Sequence, residues 1–285
     1  MIGHEPAAPH GVDLDHPSVA RVYDYYLGGT TNWAIDREFA EKVLTSFPLV
    51  KQIAIANRLF LHRVVRHLIR LGIRQFIDIG AGVPTMGSTH QIADEVSPDS
   101  KVVYIDNEPV AVAHSSMLLE DHGDPNRHAV VNADLREPEL LWHRVSQIGT
   151  LDMDKPTALL LIAVLHVEQL GPDGVDIGPE AVARYRELLP AGSYLAISHV
   201  TDDDIPEHVA GRLAALKRMY DTSSSHVIIR NHAEIRALFG ELELVEPGMS
   251  WTPLWHPEEA REDSLATNFA TPNESAVWAG VARKP

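Results

Sequence analysis

The chain has 285 residues, of which 45% are hydrophobic and 22% charged, and its formal net charge is −16. This length and composition indicate a globular protein with one large domain, or one domain with an appended cap. The negative charge disfavours nucleic acids and anionic membrane surfaces as partners. Because the chain has no cysteine, disulfides, cysteine-ligated metal centres and a cysteine nucleophile are excluded.

The beginning of the chain predicts a flexible tail followed by helices. Residues 1–15 are polar and rich in histidine and proline, without the apolar run of a signal sequence. No later run is long enough to span a membrane, so we expect a cytoplasmic protein. Residues 16–71 predict a helical region with two short helices, 18–27 and 36–47, and a long helix that begins at Pro48.

Two groups of polar residues, a run of basic residues and the histidines, are interpreted without a nucleic-acid or metal site. The basic residues between Arg58 and Arg74 also share their helix with an apolar stripe. We therefore interpret them as a solvated helix face rather than a nucleic-acid patch. The 16 histidines include no pair with a carboxylate at metal-ligand spacing, so we expect no bound metal ion.

From residue 75 onward, apolar strands alternate with helices. This alternation predicts an open, doubly wound α/β sheet. Seven strands are predicted, at residues 75–79, 101–106, 128–134, 157–165, 194–200, 241–247 and 276–283. The alternation pauses at about 201–225, where a helical insertion is predicted.

The turn after the first strand carries the clearest functional signal. In FIDIGAGVPT, residues 76–85, Gly80 and Gly82 permit a tight turn, and a helix is predicted to begin just after Pro84. Such a turn presents free backbone N–H groups and a helix N-terminus to a ligand. Asp106, at the end of the second strand, can accept both hydroxyl groups of a ribose. The segment therefore predicts a nucleoside-containing ligand.

Two details favour S-adenosylmethionine over a nicotinamide dinucleotide. The third glycine of the dinucleotide motif is absent, and Thr85 stands in its place. Asp78, two residues before Gly80, would repel a pyrophosphate but attract the ammonium of a bound amino acid. The alternative role for Asp78 is a structural hydrogen bond to the glycine turn. S-adenosylmethionine has a ribose, an adenine and an ammonium but no phosphate, so we expect it as the cofactor.

The end of the third strand adds a candidate adenine site. Asp134 could accept the exocyclic amine of adenine while Leu135 covers the ring, or Asp134 could cap the following helix, and both could hold. The cap alternative is weaker for Asp106, because Asn107 is better placed to cap the helix that opens at Pro109.

The chain resembles the class I S-adenosylmethionine-dependent methyltransferases at DIGAG, VVYID and the NAD of residues 132–134. It is more similar still to a bacterial family identified as S-adenosyl methyltransferases, through ARVYDYYLGGTTNW, NRLFLHRVVRHL, GIRQFIDIGAGVPT, VVYIDNEPVAVAH, ADLREP, AVLHV and LVEPG. The resemblance implies a Rossmann-like domain at 72–285, with a seven-stranded, mostly parallel sheet of order 3-2-1-4-5-7-6 and strand 7 antiparallel. It also implies that residues 16–71 form a helical cap over the cofactor. The residues assigned to the cofactor are Asp78, Gly80, Ala81, Gly82, Asp106, Asn107, Asp134, Leu135 and Ala163.

The expected activity is methyl transfer from S-adenosylmethionine to a small molecule. After the fourth strand stands AVLHV, and not the Asn/Asp-Pro-Pro-aromatic motif of enzymes that methylate amino groups of nucleic acids. A non-catalytic protein that binds S-adenosylmethionine as a sensor or interaction module is the alternative. An oxidoreductase with a nucleotide cofactor is disfavoured by Asp78 and by the missing third glycine.

Two further hypotheses concern the acceptor side. Aromatic rings and glycines in one segment indicate a lid over cofactor and substrate, formed by Tyr23, Tyr26, Gly28, Gly29, Asn32 and Trp33; the alternative is that the tyrosines only fill the core. His166 follows the fourth strand and could take a proton from a hydroxyl acceptor. His199, which ends the fifth strand, is the competing residue for that role. Alternatively, His166 hydrogen-bonds backbone and shapes the pocket.

Overall fold

A computed structural model of the chain describes residues 12–83, 85–221, 226–261 and 265–285. Most of the predicted tail, Pro84, and residues 222–225 of the predicted insertion lie outside the described residues. No helix in the described ranges is both long and apolar enough to cross a membrane.

Nine helices and eight strands are described. The helices are α1 (Val19–Tyr26), α2 (Ala34–Ser46), α3 (Leu49–Arg70), α4 (Thr89–Val96), α5 (Pro109–His122), α6 (Pro138–Ile148), α7 (Gly178–Leu188), α8 (Glu207–Tyr220) and α9 (His232–Ala237). The strands are β1 (Gln75–Ile79), β2 (Lys101–Asp106), β3 (His128–Asn132), β4 (Ala158–Ile162), β5 (Tyr194–Val200), β6 (Glu243–Leu244), β7 (Ser250–Trp251) and β8 (Val277–Arg283).

The strands form one sheet with the order β3-β2-β1-β4-β5-β8-β6, and β7 also pairs with β8. Strands β1 to β5 are parallel, and β8 runs antiparallel to β5. The predicted Rossmann-like order is therefore confirmed, with the last strand numbered eight because the two-residue β7 precedes it. The carboxyl ends of β1 and β2 lie side by side, since Ile79 is in register with Ile105.

Helix α3 covers one face of the sheet. Its apolar side chains, among them Phe60 and Leu68, pack with Phe76, Val102 and Leu160 of the strands. A separate apolar cluster joins α1, α2 and the start of α3 to α8, the helix of the predicted insertion. The N-terminal helices and the insertion therefore share one core beside the carboxyl end of the sheet, while α3 is also a layer of the α/β sandwich.

The interpretation of Arg58–Arg74 as a solvated face is wrong for three of its arginines. Arg58, Arg63 and Arg66 are at most 7% exposed. Arg63 donates to the carbonyl oxygens of Trp255, at 2.8 Å, and Thr252. Arg66 donates to the carbonyl oxygen of Glu259 and to Glu95. The C-terminal segment that supplies Thr252, Trp255 and Glu259 meets α3 only in the folded chain.

Candidate active site

A cleft of about 410 Å³ lies at the carboxyl ends of the parallel strands, where ligands of open α/β sheets bind. We call it the main cleft. It is lined by residues 78–82, 106–108, 133–136, 162–164 and 166–170, by Ser18 and His226, and by residues of α1 and α3. All nine residues assigned to the cofactor line it, together with His166 and Tyr23.

The glycine turn is tightly packed and hydrogen-bonded. Gly80 has a φ of +68°, and a Cβ there would lie 2.3 Å from Val164 Cγ2, so only glycine fits. The N–H groups of Gly80 and Ala81 donate to the carbonyl oxygen of Ile105 at 2.8 and 3.3 Å, and that of Gly82 donates to Asp106 Oδ2 at 2.9 Å. The prediction that this turn offers free N–H groups to a ligand is therefore wrong.

The predicted helix after the turn begins later than expected. Helix α4 starts at Thr89, and Ser88 is its N-cap within a capping box with Gln91. The glycine turn consequently has no adjoining helix N-terminus. Because a pyrophosphate is usually held by free N–H groups and a helix N-terminus, the observed turn disfavours a dinucleotide.

Asp78 lies at the floor of the main cleft and is 3% exposed. Thr89 Oγ1 donates to Asp78 Oδ2 at 2.6 Å, so its structural hydrogen bond goes to α4 rather than to the glycine turn. Burial raises the pKa of the Asp78 carboxyl, although the nearby Arg58 opposes the rise. A cationic group of a ligand would offset the free-energy cost of this buried carboxylate.

Asp106 is held by the backbone on both sides. Its Oδ2 accepts from Gly82, and its Oδ1 accepts from the N–H of Glu108 at 2.9 Å. Each carboxylate oxygen has more than one acceptor site, so both remain capable of accepting a ribose hydroxyl. The cap of α5 is Glu108, whose carboxylate accepts from Ala111 N at 2.7 Å. The prediction that Asn107 caps this helix is therefore wrong.

Asp134 lies opposite, after β3. It accepts from Asn107 Nδ2 at 3.2 Å and from the N–H of Arg136 at 2.9 Å, and it forms an ion pair with the Arg136 guanidinium. The N-cap of α6 is Glu137, so the cap alternative for Asp134 is wrong. Leu135 is buried beside it, and its carbonyl oxygen accepts from Tyr185.

The charge of the main cleft is predominantly negative. Within the described part of the chain, five carboxylates and two guanidiniums line it, from Asp78, Asp106, Glu108, Asp134, Glu168, Arg58 and Arg136. S-adenosylmethionine carries a sulfonium and an ammonium against a single carboxylate, so its net charge complements the cleft. A polyanion would be repelled.

Two residues of α3 were not recognised as site residues from the sequence. Arg58 belongs to the run interpreted above as a solvated face, and Asn57 occupies an apolar-stripe position of the same helix, yet both line the main cleft. Asn57 Oδ1 accepts from Ser198 at 2.6 Å, and its Nδ2 donates to Tyr23 Oη at 3.2 Å. A polar residue at an apolar position of the stripe was the available signal.

His166 lies in the loop after β4 rather than directly at the strand end. Ala163, the first residue of that loop, has a φ of +58°, which is uncommon for a residue with a side chain. The His166 carbonyl oxygen accepts from Ile228 N at 2.9 Å, and Nδ1 is buried without a hydrogen-bond partner among the described residues. Burial and the nearby Arg230 lower the pKa of its imidazole to about 4.

His199 does not reach the main cleft. Its side chain is fully buried, with Nδ1 2.8 Å from the carbonyl oxygen of Val200 and Nε2 facing Arg230 Nη1. Since the guanidinium can only donate, Nε2 accepts and Nδ1 carries the proton. Burial lowers the pKa of His199 to about 3. His199 is thus a neutral structural residue, and its assignment as proton acceptor is corrected.

The predicted lid is divided between two positions. Tyr23 lines the main cleft, whereas Gly28, Gly29, Asn32 and Trp33 lie outside its lining. Of those four, Trp33 contacts Val83 in a small apolar cluster, and Asn32 donates to Asp24. A Cβ at Gly29 would collide with Asp24 Oδ1 at 1.8 Å, so glycine is required for this close approach.

A second, smaller cavity adjoins the main cleft. We call it the inner pocket; it has a volume of about 100 Å³ and is enclosed by Tyr26, Phe47, Val50, Leu213, Leu216 and Val277. The two cavities share the side chains of Val19, Tyr23, Asn57, Ala163 and His166. His166 therefore stands at the junction between the two.

The sequence model of the S-adenosyl methyltransferase family matches residues 5–285. The chain belongs to this family. It is an S-adenosylmethionine-dependent methyltransferase, and S-adenosylmethionine is its cofactor. No curated protein matches the chain.

Two similar solved structures extend over nearly the whole methyltransferase. A candidate methyltransferase from Thermobifida fusca YX is 35% identical, with 98% of this chain and 99% of that chain covered and a TM-score of 0.82. A DUF574 family protein from Streptomyces avermitilis MA-4680 is 34% identical, with 96% and 99% covered and a TM-score of 0.83. An O-methyltransferase family protein from Burkholderia thailandensis is 12% identical over 82% and 59%, with a TM-score of 0.51, and shares the fold alone.

Proposed function

We propose that this methyltransferase acts on a small molecule that reaches the cofactor at the junction of the two cavities. The observation that carries the proposal is the position of the inner pocket. It adjoins the main cleft at Ala163 and His166, which line both cavities, whereas Asp106 and Asp134 line the main cleft alone. A cavity of this size accepts part of a metabolite and excludes a folded macromolecule.

The residues of the main cleft fit S-adenosylmethionine in three places. Asp106 would accept the ribose hydroxyls, Asp134 the adenine amine, and Asp78 would lie beside the ammonium. Bound S-adenosylmethionine supplies an electrophilic methyl group. The protein's task is then to orient the acceptor, to exclude water, and to receive any proton that the acceptor loses.

His166 is the proposed proton acceptor. Its lowered pKa, about 4, keeps the imidazole neutral at neutral pH, and its side chain lines both cavities. A neutral imidazole can take the proton of an acceptor hydroxyl as the new bond between oxygen and the methyl carbon forms.

Incubation with methyl-labelled S-adenosylmethionine and a fractionated cell extract tests the proposal. We expect label in the small-molecule fraction and none in the RNA, DNA or protein fractions. Label in a macromolecular fraction would overturn the small-molecule assignment. Cofactor binding without any labelled product, over fractions from several growth conditions, would instead support the sensor alternative.

A further inference from the structure

The inner pocket has no charged lining. Among its described lining residues there is no Asp, Glu, Lys or Arg, and most of the surface comes from aliphatic and aromatic side chains. A charged group placed there would lose its hydration without gaining a counter-charge, which is strongly unfavourable. The part of a ligand that enters this pocket is therefore uncharged and apolar.

The polar groups at the mouth of the inner pocket differ in their availability. Tyr23 Oη donates to the carbonyl oxygen of Ala54 at 3.0 Å, and Asn57 is occupied by Ser198 and Tyr23. His166 Nδ1 has no partner in the described part of the chain. The half-buried imidazole of His166, which lines both cavities, is thus the polar group left for a hydroxyl at the mouth.

The volume limits the size of the occupant. An apolar protein cavity of roughly 150 Å³ binds benzene, and the inner pocket, at about 100 Å³, adjoins the main cleft and shares five lining residues with it. It has room for one six-membered ring whose edge projects into the cleft beside Ala163 and His166. Two fused rings would exceed it.

We propose that the inner pocket binds a single uncharged aromatic ring of the methyl acceptor, with a ring hydroxyl at the mouth facing His166. The acceptor class is then monocyclic phenols, an assignment that rests on the proposed function. The flat apolar ring fills the pocket between Phe47, Leu213 and Val277, and the hydroxyl takes the polar position next to the cleft.

Binding of simple probes to the protein saturated with S-adenosylhomocysteine tests this assignment without turnover. Phenol, benzoate and benzylamine have similar rings and differ in charge at neutral pH. Because burying a charge without a partner is costly, we expect isothermal titration calorimetry to give phenol at least roughly 10-fold tighter binding than either charged probe. Equal or tighter binding of benzoate or benzylamine would overturn the proposal.

Enlargement of the pocket supplies the positional test. Leu213→Ala removes a wall of the inner pocket, and we expect it to shift the preference from phenol toward 1-naphthol by roughly 10-fold or more. Leu216→Ala, at a half-buried side chain, repeats the test with a smaller loss of stability. Leu141→Ala is the matched control, because Leu141 of α6 lies in a separate apolar core. It should leave the preference unchanged. An unchanged preference in both pocket variants overturns the assignment.

The two proposals fail in different ways. If the extract yields a labelled small molecule but phenol shows no preference over the charged probes, the ring assignment falls and the small-molecule function stands. If phenol binds as expected but no extract fraction is labelled, the ring site stands and its role as an acceptor site falls.

Discussion

Thr85, in the loop after the glycine turn, donates its hydroxyl hydrogen bond to the buried carboxylate of Asp24 on α1. Asp24 also accepts from the N–H of Thr31 at 2.9 Å and from Asn32 Nδ2 at 2.8 Å. One carboxylate thereby connects the N-terminal helices to the loop that follows the cofactor-binding turn. Neither the spacing nor the composition of the sequence marks Asp24 for this role.

Replacement of Thr85 tests whether this connection supports cofactor binding. Thr85→Val keeps the shape of the side chain but removes one donor to Asp24, and a hydrogen bond to a buried charge contributes about 1.5–3 kcal/mol. We expect the dissociation constant of S-adenosylhomocysteine to rise roughly 10-fold, measured by calorimetry. Thr45→Val is the control, since the Thr45 hydroxyl bonds only within α2, to Glu41. Unchanged binding in Thr85→Val would show that this hydrogen bond to the N-terminal helices does not support cofactor binding.

Cofactor choice follows from the carboxylates of the main cleft. S-adenosylmethionine and S-adenosylhomocysteine should raise the melting temperature, and NAD should not. Asp106→Ala should weaken S-adenosylhomocysteine binding by about 1–3 kcal/mol, because charge-assisted hydrogen bonds to the ribose are lost. Asp121→Ala, on the exposed surface of α5, is the control. Wild-type affinity in Asp106→Ala would show that the ribose is held elsewhere.

Asp78 should affect stability and affinity in opposite directions. Its folded pKa is raised by burial, so the stability it contributes is present below the unfolded pKa and is lost as the pH rises through the folded pKa. Asp78→Asn removes a buried charge but keeps an oxygen for Thr89. At pH 7 the variant should therefore resist urea better than the wild type, with the gain fading toward pH 4.

Affinity gives the other half of the Asp78 test. Without the carboxylate, S-adenosylhomocysteine should bind roughly 10-fold to 100-fold more weakly, because its ammonium loses an opposite charge. Asp94→Asn changes a carboxylate that pairs with Arg127 outside the cleft and should leave affinity unchanged. If Asp78→Asn lowered stability and kept full affinity, its role would be structural.

His166 should govern turnover and its pH profile. His166→Ala should lower turnover by roughly 10²–10⁴ with little change in cofactor affinity. Because the pKa of the imidazole is lowered to about 4, the rate should stay level from pH 8 to about pH 5 and fall only near pH 4. His143→Ala, an exposed residue of α6, is the control. Cofactor affinity that fell in parallel with turnover would assign His166 to the architecture of the cleft.

The strands were predictable because each buried strand is a short, continuous apolar run bounded by turn residues. Their order in the sheet was expected from the resemblance to class I methyltransferases. The run from Thr157 to Leu165 predicts β4, and Gly80 marks the turn after β1, because these signals are local. The positions of Asp106 and Asp134 follow directly, since the carboxyl ends of parallel strands meet at one edge. The strand predicted at 241–247 is reduced to the two residues of β6, and the two-residue β7 is too short for any periodicity.

The parts that could not be predicted depend on distant partners. Arg63 is buried because it bonds carbonyl oxygens of Thr252 and Trp255, 189 and 192 residues away, and a helical pattern of basic residues does not reveal such partners. His199 and His166 each lie near a strand end in the sequence. In the structure, His199 is buried against Arg230, whereas His166 lies beside a cavity. The start of α4 at Thr89 depends on the Ser88 and Gln91 capping box, a signal that competed with the proline at 84.

The hydrogen bonds of the glycine turn limit how this protein could be engineered to bind a dinucleotide instead of S-adenosylmethionine. Introducing the missing third glycine at Thr85 would not release a donor, because the N–H groups of residues 80–82 are already taken by Ile105 and Asp106 at the end of β2. That change would also remove the donor to Asp24. Conversion to dinucleotide binding would therefore require redesign of β2 and of the loop before α4 together. A change of cofactor from S-adenosylmethionine to a dinucleotide thus needs many simultaneous substitutions.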